Sequence, residues 1–125
     1  MRITQLRPVE TVTLDQAQLE ALYRQLGPVG AEKVVNHALE ELAALLSQVE
    51  GLSQRGHRAE LEDLARAVMA VAQQIGLTGL AGVARDLTVL AKSRDAIALS
   101  AVLSRLERIG DRSLVAVWDL ANLTV

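Results

Sequence analysis

The chain has no cysteine and no phenylalanine, and its 125 residues include two prolines, one tryptophan and one tyrosine. Without cysteine there is no disulfide, no thiolate nucleophile and no cysteine-ligated metal. Without phenylalanine the core has to be built from alanine, leucine, valine and isoleucine. Alanine and leucine are strong helix formers, so this vocabulary favours an all-helical fold. A surplus of one charge sign is missing too. Thirteen Lys and Arg against fifteen Asp and Glu leave a formal charge of −2, scattered along the chain. Nucleic-acid binders normally carry a basic stripe, so no nucleic-acid partner is expected. The opening MRITQLRPVE lacks the apolar run of a secretion signal, which makes a cytoplasmic location the expectation.

What is present is a globular composition, half hydrophobic and 22% charged, sized for one core in a single domain spanning 1–125. The longest uncharged run extends from Ala67 to Ala84, near the lower length limit for a bilayer span. Gln73, Gln74 and Thr78 sit in its middle among Gly76, Gly79 and Gly82. Two buried helices meeting at a glycine turn account for that pattern better than a membrane segment.

Residues 1–12 form an N-terminal arm with Ile3, Leu6, Val9 and Val12 widely spaced around Pro8; an extended strap on the domain surface is expected. Asp15 followed by Gln18 is a capping-box pattern opening a short helix with Leu19, Leu22, Tyr23 and Leu26 on one stripe. Gly27-Pro28 closes it, and proline suits the first turn of the next helix. That helix, 28–53, carries Val34, Val35, Ala38, Leu39, Leu42, Leu45, Leu46 and Val49 inward. A turn at 53–56 leads to a helix over 57–75 that buries Leu61, Leu64, Ala65, Val68, Val71 or Ala72, and Ile75. Gly76 fits the left-handed position after it. Thr78 is read as the cap of a helix over 78–92, with Leu80, Val83, Ala84, Leu87 and Leu90 inward and Lys92 favourably placed at its end. Ser93 or Asp95 caps the last helix, which bears Ile97, Leu99, Val102, Leu103, Leu106 and Ile109. Gly110-Asp111 either breaks or weakens that helix before the apolar C-terminal tail, 111–125, resumes with Leu114, Val117, Trp118 and Ala121. Short connections make neighbouring helices antiparallel. The expected fold is an all-α, up-down-up-down four-helix bundle with a short extra N-terminal helix.

No catalytic constellation is visible, so no enzyme activity and no cofactor are expected. His37 reads as a boundary residue paired with Glu41, and His57 as an exposed residue where a loop becomes a helix. The two lie on separate elements without a convergent ligand set, so no metal site is expected. Glu40-Glu41 and Glu62-Asp63 are neighbours about 100° apart round a helix and share no site. Glycines of GLTGLAG follow a helix and lack the lysine of a phosphate-binding loop. The serines 47, 53, 93, 100, 104 and 113 have no base beside them.

Two segments resemble the histidine-containing phosphotransfer (HPt) family of bacterial phosphorelays: LDQAQLEALYRQLGP, like that family's opening, and LEDLARAVMAVAQQIGLTGLAGVARDL, like its central helix and following turn. The likeness covers about 14–118. Matched without a gap from Ile75-Gly76 backwards, Arg66 falls on the phosphoacceptor position, Val68 on the family's leucine, Met69 on its lysine and Ala70 on its glycine. The resemblance implies a histidine at that place which accepts phosphate from an aspartyl phosphate. Arginine is a delocalised cation with donors and no lone pair to attack phosphorus; imidazole titrates near neutrality and can. A degenerate, non-catalytic member is therefore expected, docking a response-regulator receiver domain or a histidine kinase through Glu62, Asp63, Arg66, Met69, Ala70 and Gln73. Two alternatives stand beside it. One is an active phosphotransfer protein using His57 or His37. The other is a helical oligomerisation or scaffold module, homodimeric through the tail residues Leu114, Trp118, Leu120 and Leu123.

Overall fold

The computed structural model describes residues 14–55 and 57–123, with the side chains of 53–55 and 120–123 outside that description. The N-terminal arm, Gly56, and the side chains of Leu120, Ala121 and Leu123 therefore lie outside it, while residues 53–55, expected in a turn, continue α1. Four helices make up the described chain, with no strand among its residues: α1 (Gln16–Arg55), α2 (Arg58–Gln74), α3 (Thr78–Leu90) and α4 (Ala96–Leu123). Each helix packs on its neighbours in sequence, and α1 closes the ring against α4.

The core holds the vocabulary that the composition demands: Leu42, Leu61, Ile75, Leu77, Leu80, Leu87, Leu106, Val35, Val68 and Val117 are all fully buried. Full burial of such a side chain is worth about 1.5–3 kcal/mol. The inward stripes predicted for 28–53, 57–75 and 78–92 are the faces that pack, Val34, Leu45, Leu46, Leu64 and Leu90 at their margins. The uncharged run from Ala67 is divided by Gly76, and no helix among the described residues is long and apolar enough to cross a membrane.

α1 is interrupted at Gly27, whose φ of 73° and ψ of 168° are not helical, and Pro28 starts the stretch beyond. Its beginning is tied to the far end of α2. Asp15 Oδ1 accepts the Gln18 N–H at 3.1 Å, which is half of the predicted capping box. The reciprocal half is absent. Asp15 N–H donates to the Gly76 carbonyl instead, and Gln18 Nε2 donates to the carbonyls of Gln73 and Gln74 at the end of α2. Gly76 has φ 80°, the left-handed conformation expected of it.

Two local expectations are corrected, and the alternative left open at Gly110-Asp111 is decided. Leu77, not Thr78, takes the N-cap position of α3 and makes no side-chain cap, because the chain enters that helix directly from the Gly76 turn with Leu77 buried. Helix α4, capped by Asp95 through the Ala98 N–H at 2.9 Å, runs unbroken through Gly110-Asp111. Gly110 is buried there, and a Cβ on it would meet Leu46 Cδ1 at 2.8 Å, so the residue permits close packing of α4 on α1. One turn on, buried Ser113 returns its hydroxyl to the Ile109 carbonyl at 2.6 Å and adds no unsatisfied polar atom to the seam. Finally, Ile97 is 86% exposed. It stands two residues from buried Leu99, about 200° round the helix, and so faces outward.

Candidate docking face on helix α2

Helix α2 turns Leu61, Ala65, Val68, Val71 and Ala72 to the core. The opposite side is what the rest of the sequence left polar or small. Asp63, Arg66, Ala70 and Gln73 are exposed, as the reading of the outward face required. Two of its six members are placed differently. Met69 is half-buried and packs against the core. Glu62 is 19% exposed at its side chain, covered by two cations.

Those cations define the local geometry. Arg66 Nη2 donates to Glu62 Oε1 at 2.7 Å, one helical turn away, with 58% of the arginine side chain exposed. Lys92 Nζ, from the turn after α3, approaches the same oxygen at 3.1 Å. A single carboxylate oxygen thus joins α2 to the α3–α4 connection. The connection is itself fixed: Arg58 donates to the Ser93 carbonyl, Ser93 Oγ bonds the Leu90 carbonyl at 2.9 Å, and Asp95 N–H reaches Ser93 Oγ at 3.3 Å. Asp63 is not the partner of Arg66.

Lys92 is the member that sequence reasoning missed. Its α-helical dipole role was the obvious one to assign, yet α3 ends at Leu90 and the ammonium turns to α2. The signal was there in the hairpin. With α2 and α3 joined at Gly76, residues nearly equidistant from that turn come abreast, and Glu62 and Lys92 are such a pair.

The histidines stand apart from this face and from one another. His37 is exposed on α1 with Nε2 3.8 Å from Glu41, well clear of the apolar stripe on whose edge it was expected. His57 occupies the N-cap position of α2 with Nδ1 3.5 Å from Glu60. Among the described residues no group of three His, Asp or Glu side chains gathers into a metal site. An open groove of about 290 Å³ on α4 is lined by Ala96, Leu99, Ser100, Leu103, Ser104 and Glu107, none of which belongs to the α2 face.

No protein-family model, no curated protein and no solved structure matches this chain.

Proposed function

We propose that the chain is a non-catalytic, HPt-like signalling protein of a bacterial two-component phosphorelay, docking a receiver domain or a histidine kinase without relaying phosphate. In this reading the ring of helices is an antiparallel up-down-up-down bundle, and the stretch of α1 before Gly27 is its short extra helix. The observation that carries the reading is Arg66. It stands outward, 58% exposed, on the α2 face where the family frame sets its phosphoacceptor. Helix α2 contains no histidine at all. A guanidinium there offers several N–H donors in a planar fork suited to carboxylate or phosphoryl oxygens, and no nucleophile. Ala70, one turn on, leaves space for an approaching surface.

The test is incubation with a receiver domain carrying labelled aspartyl phosphate. No acid-labile label is expected on this chain, whereas the immobilised protein should retain a receiver or kinase and lose it on Arg66→Ala. Stable label that vanishes in His57→Ala or His37→Ala would make the chain an active relay instead. Failure to retain any receiver or kinase would remove the docking role.

One observation favours a second role compatible with the first. On α4, Trp118 is 55% exposed beside exposed Val115, although Val117 between them is fully buried. An aromatic ring left in water on a helix that already has its buried side suits a contact between copies of the chain. Sedimentation equilibrium should then detect dimer that Trp118→Ala weakens; a monomer at all concentrations would exclude it.

A further inference from the structure

The outward face of α2 carries its own counter-ion, and that detail bears on what the face binds. Glu62 Oε1 takes both Arg66 Nη2 and Lys92 Nζ, so one oxygen bridges two cations that come from different elements. The cations themselves remain open, their side chains more than half exposed, while the carboxylate beneath them is largely covered. Among the described residues Arg66 makes no other hydrogen bond. Most of its donors therefore face water. The backbone at Lys92 is set by the bonded α3–α4 connection, which fixes where its side chain starts. Glu62 carries one charge against two, so the trio is positive by one, and exposed Asp63 stands beside it on the same helix.

We propose that Glu62, Arg66 and Lys92 form a preset oxyanion clamp in which Glu62 is an internal stand-in for the ligand. The incoming group is a carboxylate or phosphoryl oxygen on a partner protein. It takes the free edge of the Arg66 guanidinium and the Lys92 ammonium, and it competes with the Glu62 carboxylate for both. Glu62 therefore has two opposed effects. It holds the cations together in the unbound protein, and it lowers their affinity for any other anion. Exposed ion pairs are weak enough to be exchanged in this way, typically 0.2–1 kcal/mol. This inference rests on the reading of the α2 face as a docking surface, and adds the chemistry of the group that docks there.

The test uses small anions, so that it can fail without the docking role failing. Inorganic phosphate and acetate are titrated separately into the full chain at low ionic strength, following the side-chain resonances of Arg66 and Lys92 by NMR. Saturable shifts are expected in both groups together, and the stronger of the two anions identifies phosphoryl or carboxylate as the preferred source. Glu62→Gln should tighten binding by about three-fold, the size of a competing surface pair. Arg66→Ala and Lys92→Ala should each abolish saturation, and Glu60→Gln, the same charge change on the same helix, should leave it unaltered. Equal tightening by Glu60→Gln and Glu62→Gln would reduce the effect to general charge and overturn the clamp. Absence of saturation with either anion would overturn it as well, while retention of a receiver or kinase would still stand or fall on its own experiment.

Discussion

The joint where α1 begins and the seam where α1 meets α4 are both closed over a glycine, and they differ in what lies opposite. At the joint, a Cβ on Gly76 would meet the carbonyl oxygen of Asp15 at 2.9 Å, with the rest of the Asp15 backbone just behind it. At the seam, a Cβ on Gly110 would meet the tip of Leu46, at 2.8 Å from Cδ1. The approach is equally tight in the two places. A backbone oxygen is fixed by the chain and its hydrogen bonds, whereas a leucine methyl can rotate away. Close distance alone does not rank the two sites; the freedom of the facing atom does.

The joint should therefore be the more fragile. Gly76 needs its left-handed φ, which costs an L-residue about 1–2 kcal/mol. A side chain there also pushes on Asp15, and with it the Asp15 N–H bond to the Gly76 carbonyl and the Gln18 bonds that close the end of α2. Gly76→Ala is expected to cost about 3 kcal/mol in total, the conformational penalty plus that of overpacking. Urea unfolding with an unchanged slope is the measurement. A loss below about 1 kcal/mol would mean that the start of α1 shifts freely, and that the joint is no tighter than the seam.

How far each region was legible in the sequence follows the same division. Gly76 could be read because its demand is local: a helical stripe ends at Ile75, and glycine is the residue that follows a helix end in the left-handed region. Asp15 is legible as a cap for the same reason, and of Ser93 and Asp95, both open by sequence, it is Asp95 that bonds the N–H three residues on. Arg66 was placed outward by periodicity alone. Gly110 was not legible. Its reason is a leucine 64 positions away across α1, and by local propensity it looks only like a weak point in a helix. Gln18 fits a capping box by spacing but spends its amide on α2, where it reaches the carbonyls of Gln73 and Gln74 at the helix end. Ile97 reads as part of the apolar stripe of α4 because it is apolar, although Leu99 two residues on sets the buried side of that helix. Glu62 deviates for the complementary reason: Lys92, from the turn after α3, reaches over the edge of a face that α2 by itself would leave open.

The seam gives the comparison its sharper form, since there the facing atom can be removed. Gly110→Ala should be close to neutral: alanine gains about 1 kcal/mol of helix propensity over glycine, and the Leu46 tip needs only a small rotation to admit one methyl. Gly110→Val exceeds that allowance and should cost about 1–3 kcal/mol, a typical overpacking loss. Leu46→Ala opens space at the same point, at its own cost in lost packing. Combined with Gly110→Val it should cost clearly less than the two single changes added together, because the valine fills what the leucine vacated. The four-member cycle, measured by urea unfolding, reads this coupling directly. Additive losses would mean that Gly110→Val acts through the helix backbone and not through Leu46. The contrast with Gly76 would then lie in the conformations of the two glycines, and no longer in the mobility of what each one faces.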